Sequence, residues 1–169
     1  HSGNEYPETF KDNETILFTA SIRPDVKDSQ FPSSLFPQIY AVGTKGGRPV
    51  LFSSLAMQEL SLSRDGRRLL YQDQKGYEDP WRKHHQSSIT KDIWLCTLDG
   101  ERTYQKITRF AGEDREPVWS ADGRSFYYLS EESGSFNVWK AAPDGSDKRQ
   151  LTRHTTHPVR SLSVADDGL

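Results

Sequence analysis

An aspartate, a tight-turn residue and then a β-rich run recur along this chain at nearly constant intervals. Asp12-Asn13-Glu14-Thr15 precedes Ile16-Leu17-Phe18, Asp65-Gly66-Arg67-Arg68 precedes Leu69-Leu70-Tyr71, and Asp122-Gly123-Arg124-Ser125 precedes Phe126-Tyr127-Tyr128. A fourth pair, Asp167-Gly168, is the last of the series. Successive aspartates lie 53, 57 and 45 residues apart, the spacing of stacked arrays whose repeat is roughly 40–50 residues, β-propeller blades among them. Asp-Gly between β-rich runs is a hairpin signal, because glycine accepts a positive φ and the aspartate carboxylate caps the backbone of the turn. One aspartate per unit at the same turn reads as a cap. Spread around an array, such carboxylates are too far apart to form one metal or acid/base site.

Each unit divides into four strands. In the third, Pro117 to Ser120, Phe126 to Leu129, Asn137 to Ala141 and Arg149 to Thr152 are separated by turn residues, with Glu132-Ser133-Gly134-Ser135 and Pro143-Asp144-Gly145 as the second and third turns. The second unit repeats this with Leu60 to Ser63, Leu69 to Gln72, Ile93 to Cys96 and Lys106 to Thr108. The first supplies Ile16 to Ala20, Ile39 to Val42 and Val50 to Phe52, behind a weakly patterned opening strand around Glu8-Thr9-Phe10. No stretch carries a helical apolar period. The expected fold class is therefore all-β: propeller blades of four-stranded antiparallel sheet, about three of them plus the first strand of a fourth. The expected bounds are about 6–55, 57–110 and 116–153, with the fourth blade starting at about 157–169.

Charge and composition narrow the function classes. Lys and Arg number 22 against 24 Asp and Glu, a net charge of −2, so there is no basic excess to displace counterions from nucleic acid. No apolar run approaches the roughly 20 residues that span a bilayer, and the segment HSGNEYPETF carries no charged-then-apolar leader. The single cysteine, Cys96, excludes an internal disulfide and a multi-cysteine metal site, and its apolar strand Ile93-Trp94-Leu95-Cys96 favours a buried structural thiol. His84-His85 lacks the i, i+4 spacing of helical zinc motifs, so neither metal nor cofactor is expected. No Gly-x-Ser-x-Gly elbow, dinucleotide fingerprint or phosphate loop occurs.

Val118-Trp119-Ser120-Ala121-Asp122-Gly123, Asn137-Val138-Trp139 and Gln150-Leu151-Thr152 resemble the propeller repeat of the TolB and tricorn-protease families, as do Asp92-Ile93-Trp94 and Lys106-Ile107-Thr108. Tyr77-Glu78-Asp79-Pro80-Trp81-Arg82-Lys83-His84-His85, with Gly112-Glu113-Asp114-Arg115-Glu116-Pro117 further on, is similar to the amino-terminal propeller of bacterial tricorn-like proteases. That resemblance implies a propeller that gates or binds peptides for a serine peptidase domain, preceded by a PDZ-like module, with neither present in this chain. It supplies no catalytic residue, and the expectation for this chain is no catalysis. It implies a periplasmic setting, with the cytoplasm as alternative. The rival reading is a TolB-like periplasmic interaction propeller with no peptidase attached. A third, a glycan-active propeller, needs paired carboxylates in the tunnel, and no paired candidates stand out.

Two long connections break the repeat, at 23–37 and 73–91. Connections of this length in a compact domain are usually functional or disordered. In a propeller they emerge on the same face as the links between blades. One rim would then collect Trp81, Arg82, His84, His85, Asp114, Arg115, Glu116, Arg153, His154 and His157. A mixed-charge rim with an exposed aromatic suits an extended peptide or unfolded polypeptide. The competing view has Arg115 in inter-blade ion pairs and Trp81 pinning its loop. Three blades leave two apolar faces uncovered, which predicts either further blades or a homodimer closing a six-bladed ring by two-fold symmetry.

Overall fold

The computed structural model describes residues 5–21, 37–77, 84 and 86–165. They form three four-stranded antiparallel sheets and no helix. Blade 1 is β1 (Glu5–Asp12), β2 (Thr15–Ala20), β3 (Gln38–Gly43) and β4 (Val50–Ser53), hydrogen-bonded in that order. Blade 2 is β5 (Met57–Leu62), β6 (Arg68–Asp73), β7 (Ile93–Thr97) and β8 (Thr103–Lys106). Blade 3 is β9 (Asp114–Trp119), β10 (Phe126–Ser130), β11 (Asn137–Ala141) and β12 (Arg149–Gln150).

The recurrent aspartates act as turn caps. Asp12, Asp65 and Asp122 each accept a hydrogen bond from the backbone N–H two residues on, at 3.0, 3.1 and 3.0 Å. Ser63 and Ser120 donate to the same carboxylates, each at 2.6 Å. These bonds hold the three carboxyls below their ordinary range. Gly66 and Gly123 sit at φ of 70° and 65°, a conformation in which a side chain is strained.

Second strands are apolar without alternation because both faces of a blade are covered. On β6, Leu69 and Tyr71 face blade 1 and join Leu17, Ile39, Met57, Leu60 and Cys96. Leu70 faces the other way and joins Ile93, Ile107, Trp119, Phe126, Tyr128 and Ala141. Cys96 is buried in the first of these clusters, and burial raises its thiol pKa. Directed bonds add to the apolar contact. Trp119 donates through Nε1 to the Ser61 carbonyl at 3.0 Å. Arg68 stacks 4.5 Å from the Trp119 ring centroid and donates to the Gly123 carbonyl at 3.1 Å, tying blade 2 to the turn of blade 3.

The outermost strand of blade 2 lies earlier than Lys106 to Thr108. It is Thr103–Lys106, exposed throughout. Ile107 and Thr108 follow it and serve a different purpose: Ile107 enters the core, and the Thr108 hydroxyl accepts the Ile93 N–H at 3.0 Å. Blade 3 repeats the device, with the Thr152 hydroxyl accepting the Val138 N–H at 2.9 Å. The recurring Ile-Thr and Leu-Thr pairs thus end the outer strand by substituting a side chain for ladder backbone. β1 is also longer than its pattern suggests, at eight residues.

The outward face of blade 1 carries a small cluster of Phe18, Ala20 and Tyr40 with Val42. Phe10 and Leu51, paired with Ile16 and Tyr40, remain 63% and 50% exposed. On blade 3 the outward residues Tyr127 and Leu129 are buried. Beyond β12 the chain returns along this blade: Val159 donates to the Phe136 carbonyl at 2.9 Å and Leu162 reaches β9.

The near-isosteric change Thr108→Val leaves the buried Ile93 N–H without an acceptor. It should cost about 1–3 kcal/mol, read as a lower denaturant midpoint with an unchanged slope.

Candidate functional site

The innermost strands β1, β5 and β9 lie side by side, and each is interrupted by a bulge. The pairing slips between Pro7 and Thr9, between Gln58 and Ser61, and between Arg115 and Val118. A glutamate occupies every slip: Glu8, Glu59 and Glu116. Glu59 and Glu116 have φ of 49° and 51°, the left-handed region that a bulge imposes on one residue. Bulges re-aim side chains, and here they present carboxylates along the inner edge.

Two of these carboxylates are tied to the next blade. Glu8 accepts the Thr19 hydroxyl and, at 3.2 Å, the Leu60 N–H of β5. Glu116 accepts the Leu162 N–H at 3.1 Å. Gln72 joins blades 2 and 3 by accepting the Glu116 N–H at 3.0 Å. Glu59 is exposed toward the inner edge. The surrounding protein mass and then the Glu8 charge raise its pKa, while Lys91 lowers it. Lys91 sits where the long connection of blade 2 ends, and its carbonyl accepts the Asp114 N–H at 3.0 Å. Burial lowers the Lys91 pKa, opposed by Glu113, Glu59 and Glu116 and assisted by Arg115.

The residues expected at the rim separate into distinct groups. Asp114, Arg115 and Glu116 share β9 but not one role. Asp114 is 1% exposed, lodged between blades 2 and 3. Arg115 lies 3.9 Å from the Phe136 ring centroid and pairs with Glu113 at 3.4 Å, an ion pair between near neighbours in the chain and not the inter-blade pair expected of it. Arg153, His154 and His157 are exposed on one segment, held by Asn137, whose side chain accepts the His154 N–H at 2.7 Å and donates to its carbonyl at 3.0 Å. His84 has φ of 56° and its N–H donates to Glu131, the carboxylate that also accepts the Glu113 N–H. The long connection is thereby fastened to blade 3. Trp81, Arg82 and His85 lie outside the described residues. Among the described residues no three His, Cys, Asp or Glu side chains converge as metal ligands.

A residue scan by type could not single out Glu59 and Lys91, because a glutamate in a β-rich run and a lysine in a loop look like ordinary surface. The available signal was positional. Glu59 and Glu116 both stand six residues before their turn aspartates, Asp65 and Asp122.

The tricorn protease N-terminal beta propeller domain matches residues 1–169 in full. The chain belongs to that family. It is also 35% identical over 55 residues to the Tol-Pal system protein TolB of Bordetella pertussis, covering 32% of this chain and 13% of that protein. Among solved structures it is similar to TolB from Acinetobacter baumannii, with a TM-score of 0.66 at 17% identity, over 98% of this chain and 36% of the other. A puromycin-hydrolyzing peptidase from Mycobacterium tuberculosis gives a TM-score of 0.66 at 15% identity, over 98% and 27% of the two chains. At such identities these likenesses concern the fold. The chain spans 13%, 36% and 27% of the lengths of these three proteins.

Asp114 gives the propeller an acid-sensitive joint. Neither of its oxygens completes a hydrogen bond. Burial pushes its pKa up to about 7, partly offset by the nearby Ser130 and Thr108 hydroxyls and by Lys148, with Asp92 opposing them. A raised carboxyl pKa means that the folded state holds its proton more tightly than the unfolded chain. This contribution is present at acid pH and is lost as pH rises from about 4 to about 7, by at most about 4 kcal/mol. Asp114→Asn should flatten that part of the stability profile, measured by denaturant unfolding between pH 4 and 8.

Proposed function

We propose that this chain is the non-catalytic propeller portion of a tricorn-like serine peptidase, binding or gating peptides for a peptidase domain outside residues 1–169. The observation that carries this reading is the match to the tricorn N-terminal propeller over all 169 residues. The site chemistry supports it. Exposed Arg153, His154 and His157 lie on the segment after β12, which Asn137 of β11 holds in place, and their charged and imidazole side chains suit an extended chain. A periplasmic setting belongs to the same proposal; no helix among the described residues is long and apolar enough to cross a membrane.

A TolB-like interaction propeller without a peptidase is the second reading, favoured by the 35% identity over 55 residues to a Tol-Pal system protein. The two differ in their partners. The first needs PDZ-like and peptidase modules downstream; the second needs a folded protein partner. On either reading the exposed Phe10 and Leu51 face of blade 1 is covered by another blade, from the same polypeptide or from a second copy closing a six-bladed ring. Sedimentation of the chain across a concentration series distinguishes these two sources.

The chain alone should bind unstructured peptides and hydrolyse none. Replacing Arg153, His154 and His157 together by alanine should weaken binding about tenfold, about 1.4 kcal/mol, in a fluorescence anisotropy titration. Turnover by the chain alone, abolished by a single side-chain change, would reverse the non-catalytic assignment.

A further inference from the structure

Where the chain passes from blade 2 to blade 3, residues 107–111 line one side of a cavity of about 540 Å³. That volume lies in the range of small-ligand pockets, roughly 300–1,000 Å³. Its floor is apolar: Ile107, Phe126, Tyr128 and Ala141 are all buried in the joint between the two blades. The Phe126 and Tyr128 rings stand 5.3 Å apart, tilted by 32°. Gly145 closes one end. A Cβ there would come within 2.8 Å of the Ile107 carbonyl oxygen, so the turn between β11 and β12 is seated directly on the connection and the cavity is framed by packed backbone.

A carboxylate stands on this face without a partner. Phe126, Tyr128 and Ser130 alternate along β10 and so share the face toward blade 2. Asp114 pairs with Ser130 across the ladder, and directly opposed residues of an antiparallel pair point to the same side. Its side chain is therefore on the face that floors the cavity, one step past Tyr128. Thr108, whose hydroxyl lies near the carboxylate, also lines the cavity. Asp114 is 1% exposed, and neither oxygen has a hydrogen-bond partner among the described residues. The neighbouring cation is already committed: the Lys148 ammonium pairs with Glu132 and lies 4.9 Å from the Trp139 ring centroid. A buried carboxylate without a donor is costly. An ammonium on an apolar body supplies the donor and covers the floor. Charge favours the same visitor, since Asp114, Glu132 and Asp144 outnumber Arg109 and Lys148 around the cavity.

We propose that this cavity binds a small primary amine with an aromatic body, its ammonium on the Asp114 carboxylate and its ring against Phe126 and Tyr128. The site is built from different residues than Arg153, His154 and His157, and it does not depend on the peptide-binding reading.

Calorimetric titration at pH 8, above the Asp114 pKa of about 7, compares 2-phenylethylamine with 2-phenylethanol, which keeps the ring and replaces the ammonium by a hydroxyl. The amine should bind saturably, one per chain, and roughly tenfold or more tightly than the alcohol, as a hydrogen bond between charged groups requires. In amide-resolved NMR spectra it should shift residues 107–111 and 144–148 and leave blade 1 in place. Asp114→Asn keeps the shape of the side chain and removes its charge, and should bring the amine to the affinity of the alcohol. Ala111→Trp, at the exposed edge of the cavity, should weaken both ligands with Asp114 intact and the melting temperature unchanged. Equal binding of amine and alcohol, or a preference that survives Asp114→Asn, overturns the assignment of the ammonium to Asp114. Undiminished binding by Ala111→Trp places the ligand elsewhere and overturns the site. Absence of saturable binding by either compound to the folded chain overturns it as well and leaves the cavity to water.

Discussion

Every sheet in this protein must be covered on both faces, and most other features follow from that requirement. A sheet with one wet face alternates apolar and polar residues. Here β6 runs Leu69-Leu70-Tyr71, and its neighbours on the two sides belong to different blades. Apolar burial of this kind contributes about 1.5–3 kcal/mol per large side chain, so no blade reaches its stability by itself. Polar links such as Arg68 to the Gly123 carbonyl and Trp119 to Ser61 add direction to a contact that is otherwise non-specific. They fix the tilt of one blade on the next, which in turn sets where the inner strands meet.

The repeat made much of this readable in advance. Asp65 and Asp122 announce their turns because the cap needs a short acidic side chain and the next residue needs positive φ. Those are local demands, and local demands leave marks on sequence. The outer strand of blade 2 shows the limit. Ile107 is apolar and β-branched, so it reads as strand, yet it has left the ladder to enter the core while Thr108 completes the hydrogen bonding of β7. Composition cannot separate a strand residue from one that ends a strand by side-chain substitution. β1 was faint for a related reason: Tyr6, Phe10 and their neighbours follow no clean alternation because the strand slips twice.

The site was legible only in outline. Grouping Asp114, Arg115 and Glu116 by sequence assumed that neighbours share a role, whereas a strand sends successive side chains to opposite faces. Asp114 therefore enters the joint between blades while Arg115 covers Phe136 on the far side. The bulge then adds a third direction and turns Glu116 along the inner edge. A one-residue slip in pairing is invisible to a pattern of apolar and polar letters. It becomes visible only when the same residue type recurs at a fixed distance from the turn.

The relatives of similar shape share 15% and 17% of their residues with this chain. A blade evidently demands little: two apolar faces, a capped turn and a way to end the outer strand. Almost none of those demands fall on the inner edge, where side chains are neither core nor turn. The structural demand there is to join blade to blade, as Glu8 does through the Leu60 N–H. Once Gln72 bridges blades 2 and 3 through the Glu116 N–H, that junction no longer needs a glutamate-to-backbone tie. Pro117 is tolerated because the joint has another support.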